Sequence, residues 1–463
     1  MAKVLLVQSH YDRREGKERS DQPIPLGLIY IGTAIEDKHD VKIYDRNLNF
    51  KDSDFFNFLE SFNPEIIGFG ITTSEVIFDF MYLGKLIKEK YPKKLIVVGG
   101  VHATIEPDSV LKKPYVDFII RGEGEEAFLE FCDMFDKDPK KLKTLKNVNN
   151  NPLRPLSNIE NLKLPDYGLV DINKYAAFYL SLSRGCPGNC TFCYSRKMWG
   201  KDNHPFIRAY SKEKAIQAVK ELVEKYKIRV FSIVDDNFVP FKSRAIEICK
   251  ILENYDAHFF CFGRADYVND EVLSALKKAG CHTMQIGFES GSQRILDLLN
   301  KKITVEQNYK AVECCKRNNI TCDASFMIGL PTETEEDLEK TAEFIKKSRP
   351  DIVNLKIFLP LPGAELFDYC VNKSLIKKPT TLEEWADWTG VMIEVHHNVS
   401  QIPDKDLLKA TKELRKVGYY KNRINRLIYW IKIREYGVIF RGVKKSIRNM
   451  PIINPRSHTS SPS

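Results

Sequence analysis

The chain has 463 residues, 43% of them hydrophobic, with a mean hydropathy of -0.33 and a formal net charge of +9. It is long enough for two domains and an extension, contains no apolar run of about 18 residues and so no bilayer-spanning helix, and opens on a buried-strand pattern too short for a secretory signal. Eleven cysteines at irregular spacing argue against a disulfide framework and for a reducing cytoplasm, while ten Lys/Arg and a single acid, Glu435, crowd residues 421–456 and account for the net charge. The remainder is balanced, unlike a broadly nucleic-acid-binding surface.

Residues 1–136 alternate apolar runs (Val4–Val7, Val41–Tyr44, Ile66–Ile71, Leu95–Val98, Phe118–Ile120) with helical patterns such as Leu26–Ile35, Phe78–Lys90 and Glu125–Phe135. Short continuous apolar strands between helices predict an α/β, doubly wound, Rossmann-like parallel sheet, with its ligand at the carboxyl ends of the strands. The loops there are 9–16, 72–75, 99–102 and 122–125. Residues 137–175, polar and broken by Pro152, Pro155 and Pro165, read as a linker. A second series follows over 176–400, with strands predicted at Phe178–Ser183, Val230–Val234, His258–Phe262, Thr283–Phe288, Cys322–Ile328 and Ile352–Phe358. Helical patterns lie between them, which predicts a partial (β/α)6 barrel with its reactive face at the carboxyl end. Residues 359–402 read as irregular, and 401–463 as a basic helical C-terminal extension with a disordered tail.

The most specific chemistry lies after the first of these strands, in Ser183-Arg-Gly-Cys-Pro-Gly-Asn-Cys-Thr-Phe-Cys-Tyr194. Cys186, Cys190 and Cys193 can ligate three irons of a 4Fe-4S cluster and leave the fourth open to a small molecule. A structural zinc would want a fourth Cys or His, for which only His204 is near. The other eight cysteines fall inside apolar patterns and read as core. Further polar groups recur at strand ends. Asp235 and Asp236 can accept from a ligand ammonium or cap a helix. Arg264 suits a carboxylate, or an ion pair with Asp266 or Glu289. Glu289 and Ser290 suit the hydroxyls of a ribose.

The cysteine loop resembles that of radical S-adenosylmethionine (SAM) enzymes, down to the aromatic Phe192 before the last cysteine. The resemblance implies that SAM chelates the open iron and is cleaved to a 5′-deoxyadenosyl radical, with an electron donor such as flavodoxin or ferredoxin. It implies SAM contacts at Phe192, Asp235, Asp236, Arg264, Glu289, Ser290 and, at the adenine edge, Ile328 and Gly329. Val234-Asp-Asp-Asn237 departs from the common Gly-Gly-Glu and is similar to the cobalamin-binding branch.

The N-terminal segment resembles the cobalamin (B12) domain of class B radical SAM proteins through Pro25–Leu28, Asp45, Gly68–Thr73, Val97–His102 and Arg121–Glu125. The corrinoid contacts so implied are Thr72, Thr73 and Ser74 by their hydroxyls, Gly99 and Gly100 by flat backbone, and His102, Gly122, Glu123 and Gly124. The motif Asp-x-His-x-x-Gly is incomplete: His10 is present, but position 8 is Gln and position 13 is Arg, so a lower axial histidine is not supported.

The implied function is C-methylation through methylcobalamin at an unactivated carbon. Oxidative cyclisation, as in the anaerobic magnesium-protoporphyrin IX monomethyl ester cyclase group, and lipid-chain coupling are alternatives; a corrinoid or iron–sulfur electron-transfer module is the non-enzyme reading. The substrate is a small or lipid-like molecule. The basic arm, with a stripe of Ile424, Leu427, Ile428 and Ile431 beside Tyr429 and Trp430, fits a docked helix or peripheral membrane contact through 421–456; it carries no strong nucleic-acid signal.

Overall fold

A computed structural model describes residues 1–11, 22–74, 76–199, 207–388 and 397–417. Strand β1 (Lys3–Gln8) carries Val4-Leu-Leu-Val7, each 2% exposed or less, and such a strand has to be covered on both faces. It is joined by β2 (Asp40–Asp45), β3 (Ile66–Gly70), β4 (Leu95–Gly99) and β5 (Phe118–Ile119) in the order β2-β1-β3-β4-β5, every pair parallel. Alternation along the strands divides the cover. Leu6, Ile66 and Val97 pack with Phe128 and Phe131 of the helix Glu125–Lys137, whereas Leu5, Ile67 and Val98 pack with Phe55, Leu59, Phe80 and Leu83 of the helices Asp52–Phe62 and Val76–Lys90. Burial of each such side chain contributes about 1.5–3 kcal/mol.

The second sheet starts with β6 (Tyr179–Leu180). An antiparallel pair, β7 (Ser183–Gly185) and β8 (Ile207–Ala209), lies outside that sheet. The sheet continues through β9 (Val230–Ile233), β10 (His258–Gly263), β11 (Cys281–Glu289), β12 (Thr321–Ile328) and β13 (Ile352–Ile357), in the order β6-β9-β10-β11-β12-β13 and all parallel. No pairing joins β13 to β6 among the described residues, so the barrel is open. The strand predicted over Phe178–Ser183 is broken in two. The Asp235 carboxylate accepts from the Leu182 amide and from the Ser183 hydroxyl, both at 2.6 Å, and draws the chain off the sheet just before the cysteine loop.

The two sheets share apolar core. Phe80 and Ile77 lie in one cluster with Phe367, Trp385 and Trp388 from beyond the barrel, and Ile24 and Ile29 join Tyr175 and Leu180 of the barrel core. Residues 137–175 contain short 3-10 turns begun by Asp138, Asn158, Asp166 and Asp171, whose side chains each accept from the amide two residues on. Residues 359–402, expected as irregular, contain helices Glu365–Asn372 and Leu382–Trp388; their apolar faces dock on the shared core, which outweighs the prolines just before them. Residues 404–417 are helical. The basic arm at 421–456, with its apolar stripe and the expected tail, lies outside the described residues, as does His204. No helix among the described residues is long and apolar enough to cross a membrane.

Candidate active site

The cysteine loop leaves β7 through Gly185 at φ +86° and ends in the short helix Ser195–Trp199. It is tied down on the C-terminal end of the helix Gln293–Leu298, which follows β11. The Thr191 amide donates to Leu299 O at 3.0 Å, its hydroxyl to Leu298 O at 3.1 Å, and Asn300 Nδ2 to Asn189 O at 2.8 Å. A Cβ at Gly188 would stand 2.7 Å from Arg264 Nη1, so only glycine lets the loop pass this close to the guanidinium. The sulfurs face donors: the Gly188 amide to Cys186 Sγ and the Ser195 amide to Cys193 Sγ, each at 3.4 Å, and Arg264 Nη1 to Cys190 Sγ at 3.5 Å. Burial raises the Cys186 thiol, with the Gly188 amide and Arg264 pulling the other way.

No three His, Cys, Asp or Glu side chains among the described residues converge on one point to hold a single metal ion. A cubane takes one thiolate per iron and so spreads its ligands. Three soft thiols on one loop, with amides and a guanidinium aimed at sulfur, suit the one-thiolate-per-iron ligation of a cubane.

At the end of β11 a register shift between Gly287 and Glu289 places Glu289 at φ +64°, an uncommon conformation for a residue with a side chain. Its carboxylate accepts from Lys301 Nζ at 2.7 Å, and a Cβ at Gly287 would sit 2.3 Å from Glu289 Oε1. Lys301 is 5% exposed, lies over the Phe192 ring at 5.8 Å, and its carbonyl accepts from Arg264 Nη2 at 2.7 Å. Burial alone would lower its amine; Glu289 and Cys190 outweigh it and raise it. Arg264 also donates to Asp266 at 3.0 and 3.1 Å. The structure thus gathers Phe192, Arg264, Glu289 and Lys301 against the cysteine loop. Sequence reasoning missed Lys301: next to the exposed Lys302 it looks like surface charge, and its signal is a long-range partner, Glu289.

The remaining residues expected at SAM divide. Asp236 accepts from the Ser195 hydroxyl at 2.7 Å and lines a cavity, whereas Asp235, 1% exposed, faces inward to Leu182 and Ser183, and burial pushes its carboxyl up to about 6. The Ser290 hydroxyl is taken up at 3.0 Å by both Thr341 Oγ1 and the Ser292 amide. Ile328 is buried in the barrel core; Gly329, at φ +80°, and Leu330 donate their amides to Glu333.

The cavity, about 800 Å³, lies between the carboxyl ends of the first sheet and the start of the barrel, bordered by Thr72, Gly99 and Gly100 on one side and Tyr194, Trp199 and Asp236 on the other. Its N-terminal wall mixes apolar side chains such as Leu28, Phe69 and Ile71 with several glycines. A Cβ at Gly27 would meet nothing within 4 Å, and one at Gly70 would meet only Leu28, at 3.5 Å. Gly122 and Gly124 line it too, and Gly100, at φ +96°, crosses so close to Ile71 that a Cβ would approach its carbonyl oxygen to 2.5 Å. At Gly27 and Gly70 a side chain would enter the space, which leaves room for a broad group, and no histidine lines the cavity among the described residues.

Three of the expected corrinoid contacts stand off this wall. His102 is buried behind it, its Nδ1 hydrogen-bonded to Thr73 Oγ1 at 2.9 Å and its Nε2 to Ser109 Oγ at 3.0 Å, and burial lowers it to about 4. Both His102 nitrogens and the Thr73 hydroxyl are thus hydrogen-bonded within the protein, and neither residue lines the cavity. Ser74 instead pairs its hydroxyl with Thr72 at 2.8 Å. Glu123 borders the cavity with its carboxylate committed to Arg184, Arg208 and the Ser157 amide. His10 is buried against the Phe50 ring at 4.4 Å.

Comparison with known proteins gives two family matches, the radical SAM superfamily over residues 180–345 and the B12 binding domain over 18–131. A methyltransferase of Pyrococcus horikoshii, itself uncharacterised, is 34% identical over 408 residues, 83% of this chain and 86% of that protein. The anaerobic magnesium-protoporphyrin IX monomethyl ester cyclase of Rubrivivax gelatinosus is 29% identical over 345 residues, which is 68% of this chain but 60% of the cyclase. Among solved structures, the radical SAM methyltransferase TsrM of Kitasatospora setae, with cobalamin and a 4Fe-4S cluster bound, superposes with a TM-score of 0.69 at 13% identity, over 90% of this chain and 91% of that one; this likeness is one of fold.

Proposed function

Since the chain belongs to the cobalamin-dependent radical SAM methyltransferase family, we propose that it methylates an unactivated carbon of a small molecule held in the cavity between the cysteine loop and the glycine-bearing wall. That shared cavity is the observation that carries the reading. When bound, the cluster and SAM supply a 5′-deoxyadenosyl radical to remove hydrogen, and methylcobalamin supplies the methyl group.

The chain's own residues bind and orient. Cys186, Cys190 and Cys193 hold the cluster, and the Gly188 and Ser195 amides with Arg264 disperse the charge on their sulfurs. Asp236 would be the carboxylate for the SAM ammonium, and Lys301 and Arg264 the cations for its carboxylate. Glu289 accepts from the ribose, and the positive-φ turn at Gly329 bares backbone for the adenine edge. Gly99, Gly100, Gly122, Gly124 and the Thr72 hydroxyl would receive the corrinoid. Tyr194, Met198 and Trp199 exclude water on the barrel side. A one-electron donor such as flavodoxin or ferredoxin serves the cluster.

Anaerobic reaction with methyl-deuterated SAM and a cell extract from a strain lacking the gene tests this. A product carrying the label is expected. Formation of 5′-deoxyadenosine with an oxidised, unlabelled product would establish the cyclase-like alternative, which the similarity to the Rubrivivax enzyme favours as the second reading.

A further inference from the structure

Two residues before Cys186, Arg184 stands opposite Arg208 in the β7–β8 pair. Its guanidinium donates to Glu123 at 2.7 Å and to Glu125, and lies over the rings of Tyr30 at 5.5 Å and Trp199 at 5.8 Å. Arg208 holds the same Glu123 carboxylate at 2.8 and 3.2 Å and donates to the Ser157 carbonyl at 2.6 Å. Glu123 and Glu125 flank Gly124, in the turn after β5 that borders the cavity, and Glu125 opens the helix Glu125–Lys137. Two carboxylates from the first sheet thus meet two guanidiniums from the hairpin that launches the cysteine loop.

The four charges balance in a largely buried setting, with 13% of the Arg184 side chain, 5% of Glu123 and 9% of Glu125 exposed. Burial would raise Glu123, but Arg208 and Arg184 hold it below the usual carboxylate range. Desolvation cancels most of the gain from such a buried network, whereas its planar bidentate geometry fixes position. The two sheets are already held together by the core of Phe80, Phe367 and Trp385. The network therefore adds register, not adhesion.

Resting on the reading that both cofactors bind, we infer that Arg184 is a positioning residue: it fixes the separation between the cysteine loop and the corrinoid wall by gripping the Gly122–Glu125 turn. It acts through the two loops, and its loss leaves the three thiols and the glycines of the wall in place but lets them drift apart.

Arg184→Gln and Arg184→Lys are compared with the parent chain in two ways. In cofactor-free protein, amide exchange at 122–126 and 183–186 should accelerate together, about tenfold or more in Arg184→Gln and less in Arg184→Lys, beyond the general acceleration elsewhere in the chain that follows from leaving the buried Glu125 carboxylate unpaired. In anaerobically loaded protein, the magnetic coupling between cob(II)alamin and the reduced cluster should weaken and its distance distribution broaden in Arg184→Gln, with Arg184→Lys between. Parental exchange at either segment, or an unchanged coupling in loaded Arg184→Gln, overturns the inference. Loss of cluster from both variants would also overturn it, by making Arg184 part of the cluster site. A parent chain that takes up no corrinoid would instead sink the methyltransferase reading, and the exchange measurement would still decide whether Arg184 joins the loops.

Discussion

On the barrel side of the site, Asp236, Arg264, Glu289 and Lys301 bring charged atoms within hydrogen-bond reach of each other or of the cysteine loop; on the N-terminal side, Gly27, Gly70, Gly99 and Gly100 offer backbone and space. On the proposed function, the difference follows from the two kinds of guest. SAM is small, flexible and bears both an ammonium and a carboxylate, so point charges held in buried pairs can orient it. A corrinoid is broad and rimmed with amides, so the surface that suits it is a wide one with exposed backbone groups and small residues.

The contrast breaks most completely at the thiols. Cys190→Ala should abolish both the 4Fe-4S signal and SAM cleavage, while corrinoid uptake persists; iron analysis and electron paramagnetic resonance read the loss. Full iron content with turnover would refute the ligand assignment.

Next in size is Lys301→Met, which strands the Glu289 carboxylate in the interior. Breaking one partner of a buried pair costs about 3–5 kcal/mol, seen as a lower urea midpoint, and Lys301→Met with Glu289→Gln should recover most of it. A single variant as stable as the parent would mean the pair is hydrated.

Burial also pushes the Glu333 carboxyl from 4.5 to about 7. The folded chain then keeps a proton that the unfolded chain has released, so this group's contribution is present below about pH 4.5, declines as pH rises to about 7, and is level beyond. Glu333→Gln should flatten that part of a urea-stability profile; an unaltered slope would place the titration elsewhere.

On the N-terminal side, Gly27→Leu projects into empty cavity and should leave folding and the cluster intact while weakening corrinoid binding about tenfold or more, equivalent to about 1.4 kcal/mol. Equal uptake would move the corrinoid off this wall. The least effect on either half is expected from truncation at Tyr420. It removes the basic arm, for which peripheral membrane contact is worth about 1 kcal/mol per Lys/Arg near an anionic leaflet. Salt-sensitive vesicle binding should vanish while SAM cleavage is retained; a full-length chain that ignores anionic vesicles at low salt would leave the arm without that role.

What could be read from the sequence was what one short segment determines. Cys186, Cys190 and Cys193 announce their chemistry by spacing, and Val4–Val7 announces a doubly covered strand by composition. Asp235 and Asp236 could not be told apart, because the break after Leu180 decides which of two identical neighbours turns inward. His102 looked available because its partners, Thr73 and Ser109, lie on other turns of the chain. Lys301 and Arg184 were passed over for the same reason: a buried cation is recognisable only once its carboxylate, Glu289 in one case and Glu123 with Glu125 in the other, is brought beside it. The prolines at 360 and 362 masked two helices whose stability comes from docking rather than from their own propensity.

The core that joins Phe80 to Phe367 and Trp385 has a bearing on biosynthesis. The helix Val76–Lys90 is made early, yet part of its apolar cover arrives with Leu382–Trp388, some three hundred codons later. At about 5–20 residues per second, a nascent chain carries that uncovered face for roughly 15–60 s. The N-terminal sheet can form on the ribosome, but its outer face is completed only after most of the chain has emerged, so chaperone contact during synthesis should concentrate on residues 76–90.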